Sequence, residues 1–337
     1  MAILTTQTIE YESAASQQAF AALTDSGDHT VFTATSTPWS QASGYEPVIG
    51  PYGVIDGGAV IPAVSTTNDL VDAAAVVLMA PGMTGASATT GRITVAADTD
   101  LSCTRGSSTN THIINSITVN YSSGAYAVVA GTATTAFSET RGASGGPPFI
   151  PVGSIEVAQV RLTSITAAPI TADEIYQVVG THQERYDYPV YSVDYLRGKI
   201  TFSAALPLIH TGSVAKSVRV RVATPVFAEK ANARDWVPAE TSNTTNSEDY
   251  YDGAIGSVSS SLGQASFTAA LTDGVTDGLL SKVGQKLIFR FKPSRSGSAY
   301  QLTQGVLGVA RTFGVKSSPQ GSFTVSPEQA SVDFSGL

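Results

Sequence analysis

Residues 218–222 read Val218-Arg219-Val220-Arg221-Val222, with apolar and basic side chains in strict alternation. Successive side chains of an extended chain point to opposite faces, so this period of two describes a strand with one apolar and one basic face. The pattern extends back to Val214 through Val-Ala-Lys-Ser. It recurs, alternating or as β-branched runs between Gly, Ser and Pro breaks, at 91–97 (GRITVAA), 113–121 (IINSITVNY), 154–163 (SIEVAQVRLT), 285–292 (QKLIFRFK) and 321–334. Many short strands separated by turn residues predict a mainly β chain built as a sandwich or barrel. Three segments carry helical signals instead. Residues 12–24 (ESAASQQAFAALT) place Ala15, Ala19, Phe20 and Leu23 on one face, with Ser13 as cap and Ser26-Gly27 as stop. Residues 69–79 (DLVDAAAVVLM) follow Asn68 and end before Pro81-Gly82, though Val76-Val77 also suits a strand, and 277–283 is short and ends at Gly284.

The 337 residues give room for more than one core, and composition narrows the class. Hydrophobic residues make up 42% and charged ones 14%, the latter well under the ~25% of ordinary soluble proteins. Counting along the chain gives 39 Ser and 39 Thr. This hydroxyl-rich, charge-poor surface suits contact with neighbouring copies, and the apolar content excludes a disordered chain. The net charge of −8 argues against a nucleic-acid binder, which would carry a basic footprint. That charge is polarised: residues 1–150 hold 3 basic and 11 acidic side chains, a net −8, whereas 257–337 hold 7 and 4, a net +3. Opposite ends of such a chain attract head to tail.

Cys103 is the only cysteine, so an intramolecular disulfide is excluded, and a buried structural thiol in a reducing compartment is expected. The longest apolar stretch, 73–83, is interrupted by Pro81 and Gly82 and is too short to span a bilayer. The opening MAILTTQTIEYESAAS has no basic segment ahead of Glu10 and Glu12, so no signal peptide is expected, and the sequons at Asn120 and Asn243 read as accidental.

Two stretches look like boundaries. Residues 138–151 (SETRGASGGPPFIP) predict a linker or wide loop, and 232–257 (NARDWVPAETSNTTNSEDYYDGAIGS) a long polar loop without apolar period. The echo between Gly91-Arg92-Ile93-Thr94-Val95 and Gly198-Lys199-Ile200-Thr201-Phe202 suggests related β units, with chance an equal reading.

Catalytic signals are weak. Gly142-Ala143-Ser144-Gly145-Gly146 satisfies the spacing around a serine nucleophile and resembles that segment of trypsin-like proteases, with Ala143 in place of their aspartate. Pro147-Pro148 forbids the helix that a hydrolase elbow needs, and His29, His112, His182 and His210 all sit in unrelated contexts. Metal-ligand spacings, phosphate loops and dinucleotide fingerprints are absent, so no cofactor and no metal is expected. Glu248-Asp249-Tyr250-Tyr251-Asp252 reads as a solvated acidic loop before it reads as a cation site. Tyr186, Tyr188, Tyr191 and Tyr195 suit a half-buried hairpin better than a sugar platform. By elimination, the expectation is a protein that is not an enzyme.

The last third supplies a likeness. Gly305-Val306-Leu307-Gly308-Val309, then Phe313-Gly314, a Pro-Gln-Gly turn into Ser322-Phe323-Thr324-Val325, and a closing Ser331-Val332-Asp333-Phe334 resemble the end of the major tail tube proteins of long non-contractile-tailed bacteriophages. The strand-turn-strand segment from Tyr191 to Phe202 is of a kind common in phage structural proteins, and together these features cover about 40% of the chain. The resemblance implies a β-sandwich or half-barrel with a flanking helix, from a protein assembled in the host bacterial cytoplasm and located in the virion tail. It further implies hexameric rings stacked into a tube around a tape-measure protein. Implied partners are further copies of the chain, the tail terminator and baseplate or distal tail proteins, with transient passage of double-stranded DNA and no membrane insertion. Tube proteins are often shorter, so the expected division is an N-terminal part of the tube core with a helix at 1–40, an added β-rich domain or insertion at 41–150, and a tube-core β domain at 151–337. The loop at 232–257, with Asp235, Trp236, Glu248, Asp249, Tyr250, Tyr251 and Asp252, is the expected inter-ring contact. Other readings are a capsid decoration or baseplate component, or a carbohydrate-binding β-sandwich.

Overall fold

The computed structural model describes residues 7–35, 37–42, 47–51, 53–79, 92–177, 190–212, 214–215, 218–250 and 253–335. Paired strands run antiparallel throughout, and helix among these residues is confined to two short 3-10 turns, Ala172–Glu174 and Leu280–Lys282. The mainly β expectation therefore holds, and among the described residues no flanking helix is found. Residues 12–24 instead lie in the strands Thr8–Gln17, Ala21–Ala22 and Thr24–Asp25. Alanine favours a helix by well under 1 kcal/mol per residue over most alternatives, and pairing along Thr8–Gln17 outweighs it: Glu10–Gln17 bonds Ala223–Glu229, and Thr8–Tyr11 bonds Phe289–Lys292. Residues 69–79 form Leu70–Ala73 and Val76–Met79, in which Val71, Ala73, Val76 and Leu78 are buried. The helix expected at 277–283 shrinks to the turn Leu280–Lys282.

The chain is nested. Its outermost layer is a sheet ordered Ala223–Glu229, Thr8–Gln17, Lys286–Lys292, Tyr300–Thr312, Gln320–Pro327, Ala265–Ala270 and Ala233–Val237, with Val332–Phe334 paired to Tyr300–Leu302. Its two end strands are neighbours in sequence, joined by residues 230–232. Laid flat, seven strands would separate those ends by about 29 Å, whereas so short a link spans at most about 14 Å. The sheet must therefore curl, and it does: Ala233 and Trp236 of the last strand pack in one core with Ile9 and Tyr11 of the second. The result is an open barrel. Its interior follows the period of two, with Ala265, Phe267 and Ala269 inside along one strand and Gly321, Phe323 and Val325 along the next. Phe267 stacks on Phe323 at 4.9 Å and tilts against Phe289 at 5.8 Å. Gly305 is required by close approach, because a Cβ there would lie 2.3 Å from the Ser326 carbonyl oxygen.

Between the first two barrel strands lies a second unit, formed from residues 21–51 and 191–222 around fully buried Trp39 with Phe32, Ile200, Phe202 and Val220. Within it Val218–Arg221 pairs with Val48–Pro51 and Ala21–Ala22, its valines buried and its arginines on the other face. Nested again is a third unit, 53–177, whose core includes Val71, Leu78, Ile117, Val119, Ile155, Val157 and Leu162. Its sheet crosses the boundary expected at 150–151, since Ile113–Asn120 pairs with Ser154–Leu162. The two echo segments fall in different sheets, Arg92–Val95 in the third unit and Lys199–Phe202 in the second.

The expected linker at 138–151 is a closely folded loop over the polar face of that sheet. Arg141 reaches in to Glu156, with Nη2 2.5 Å from Oε2, while Ser116 and Gln159 also donate to the fully buried Glu156 carboxylate. Arg141 Nη1 additionally donates to the Pro148 carbonyl at 2.6 Å, and Arg161 donates to Glu139 through Nη1 and Nη2. Gly142 has φ +79°, and a Cβ there would collide with the Phe149 ring.

Candidate functional site

The expected polar loop at 232–257 proves to be mostly strand. Ala233–Val237 is the last strand of the open barrel, and beyond it Thr241–Tyr250 and Gly253–Leu262 pair over all ten positions as a two-stranded ribbon. Its base is tied by the Gly263 N–H to the Glu240 carbonyl at 2.9 Å. Each strand measures about 33 Å at the usual rise per residue. Every side chain described on it, 241–247 and 256–262, is exposed, including Val258 at 69%. Sequence reading missed the strands because neither face is covered: Ser and Thr alternate with Ser, Thr and Asn, leaving no apolar period. A two-stranded ribbon alone in water is marginal, and among the described residues no further strand pairs with its outer edges.

The expected contact residues separate into two groups. Trp236 belongs to the barrel: its indole Nε1–H donates to Gln301 Oε1 at 2.8 Å, and its ring stacks on Phe291 at 5.8 Å. Asp235 sits beside it at φ 59°, where the pairing with Ala265–Ala270 is irregular. Glu248, Asp249 and Tyr250 lie near the tip of the ribbon, opposite Ile255, Ala254 and Gly253. Tyr251 and Asp252 lie outside the described residues.

Register fixes which end of the barrel the ribbon leaves. Ala265–Ala270 starts at the ribbon's base and finishes opposite Gln320, which also pairs with Thr312. Loops 271–284 and 313–319 therefore lie at the far end. Lys286 pairs with Val306 and Phe291 with Gln301, so Lys286–Lys292 begins toward that far end; Thr8–Gln17, antiparallel to it, finishes there. The far end carries exposed Val275 (68%), Phe313 (60%) and Val315 (93%). Isolated exposed apolar residues are ordinary; three at one end of a barrel form a candidate contact surface.

At the same end the sheet forks. Pairing between Thr8–Gln17 and Lys286–Lys292 stops after Tyr11 and Phe289, where buried Glu12 takes over. Its Oε1 accepts from the Ser40 hydroxyl and its Oε2 from the Ile288 N–H at 3.1 Å. Burial pushes the Glu12 carboxyl above its ordinary range, partly offset by those two bonds and by Lys282. Beyond Glu12 the strands diverge around a groove of about 770 Å³ that Ser13–Ala15, Lys282 and Gly284–Leu287 help line.

The catalytic leads come apart in space. Ser144 is exposed on the loop held by Arg141, and among the described residues no histidine bonds it. His29 pairs with Asp25, and His112 bonds Thr111 and packs edge-on to Phe137. His210 bridges to Ile150 through the backbone, and His182 lies outside the described residues. Cys103 is buried, and its thiol is pushed up to about 12, chiefly by burial and then by Asp69. Of the tyrosines, Tyr191 packs edge-on to Phe202 at 5.8 Å and Tyr195 lies against the Trp39 core; Tyr186 and Tyr188 lie outside the described residues. No helix among the described residues is long and apolar enough to cross a membrane. No protein-family model, curated protein or solved structure matches the chain.

Proposed function

We propose that this chain is a structural, non-catalytic subunit that assembles with copies of itself into stacked rings, forming the tail tube of a long-tailed bacteriophage through which DNA passes. The observation that carries the reading is the ribbon 241–262, ten paired positions long and exposed on every described side chain. A feature of that length with no core of its own gains stability when another molecule covers it. It leaves one end of a barrel whose other end displays an apolar rim, a head-to-tail arrangement that propagates into rings or filaments instead of closing a dimer. Net acidity suits a conduit, because phosphate contacts would slow DNA in transit. Six subunits per ring, a tape-measure protein in the lumen and terminator and baseplate proteins at the tube ends follow from the resemblance. The test is electron microscopy of the purified protein at rising concentration: tubes or pored rings support the reading, and a monomer at every concentration overturns it.

A further inference from the structure

Resting on that assembly reading, we infer that the fork beside Glu12 is the receptor for the ribbon of a second copy of this chain. Three observations converge there. Among the described residues two strand edges are open: Ala14–Gln17 pairs only with Ala223–Val226, and Lys286 and Leu287 pair only with Val306 and Gly305. Open edges a groove apart are completed by an added strand, whose main chain supplies the hydrogen bonds. The groove, about 770 Å³, lies within the range of formed binding pockets.

Charge selects the occupant. The ribbon strands hold two charged residues, Glu248 and Asp249, and no basic one. The groove carries Lys282 and Lys286, the latter bridged at 2.6 Å to the mostly exposed Glu328. Its one carboxylate, Glu12, is turned inward onto Ser40 and Ile288. An acidic strand thus meets two cations, and complementary charge sets orientation as well as approach. The third observation is direction: ribbon and fork occupy opposite ends of the same barrel, so a ribbon in the next copy's fork builds a polar stack.

Two single-cysteine variants test this, Ala14→Cys on the fork and Asn246→Cys on the ribbon, mixed and oxidised mildly in full-length assemblies. Both positions are exposed, whereas native Cys103 is buried and does not compete. The expected result is a covalent dimer from the mixture and little from either variant alone. Assemblies that form without this cross-link, or that link only Asn246→Cys to itself, overturn the fork while leaving the assembly reading intact. A protein that never assembles overturns both. As a second arm, Lys282→Glu with Lys286→Glu should raise the concentration needed for assembly about tenfold, with Glu248→Lys and Asp249→Lys together restoring much of it. An unchanged threshold, with the monomer's melting temperature also unchanged, would contradict the charge match.

Discussion

The Glu240 carbonyl accepts the Gly263 N–H at 2.9 Å, and this bond marks where the barrel ends and the ribbon begins. Below it, Val237 pairs with Ser266 and Phe267 points into the core. Above it, the described side chains are all exposed. One antiparallel pair therefore serves two purposes: its lower part completes a hydrophobic interior, and its upper part offers strand edges to whatever approaches.

Because the two legs already meet at this bond, residues 242–261 can be replaced by a two-residue Asn-Gly turn, whose twist suits a hairpin. The shortened protein should fold, with a melting temperature within a few degrees of the parent, since no core residue is removed. Assembly should be lost. Circular dichroism and sedimentation velocity on the same samples check both halves of this expectation, and assembly by the shortened protein would show that the ribbon is dispensable.

Glu12 provides a pH signature. Its folded carboxyl titrates above the ordinary range because burial penalises the charge. Folding therefore favours the protonated form, and that stability is fully present below the unfolded pKa and lost as pH rises through the raised folded value. Melting temperatures of the parent relative to Glu12→Gln should fall as pH increases from 4 toward 8. Glu12→Ala, which strands the Ser40 hydroxyl and the Ile288 N–H, should cost about 1–3 kcal/mol. A difference between parent and Glu12→Gln that stays flat with pH would contradict the assignment.

The Arg141–Glu156 pair pins the 138–151 loop onto its sheet. Arg141→Met leaves a fully buried carboxylate without its cation, and removing one partner of such a pair costs about 3–5 kcal/mol. Denaturant unfolding should register that loss, with new proteolytic cleavage near Ser144. Ser144→Ala, at an exposed position bonded to no histidine among the described residues, should leave stability within about 0.5 kcal/mol.

Cys103 should resist a thiol reagent at pH 8 in the folded protein and react at once in denaturant. Its thiol, pushed up to about 12, is protonated at that pH and buried besides. Rapid labelling of folded protein would show that this site opens.

Strands with one covered face were legible in the sequence because burial imposes a period of two: Val218, Val220 and Val222, or Leu287 and Phe289, declare themselves. The Ala-rich 12–24 misled because its side chains are small enough for either conformation, and the decision came from partners more than two hundred residues away, Ala223–Glu229 and Phe289–Lys292. The ribbon was legible only as polarity. A strand with no buried face has nothing to make its period visible, so 241–257 read as loop although the acidic residues Glu248 and Asp249 were singled out. Nothing local pointed to Glu12, Ser40 and Ile288 meeting, nor to Arg141 reaching Glu156, since each contact depends on how distant strands are brought together.

Negative-stain electron microscopy of the purified protein across a concentration series tests the central claim most directly. Hollow tubes, or rings with a central pore, appearing above a threshold concentration and absent once 242–261 is replaced, are the predicted result. Single particles of one protomer at every concentration, with the ribbon intact, would contradict the account.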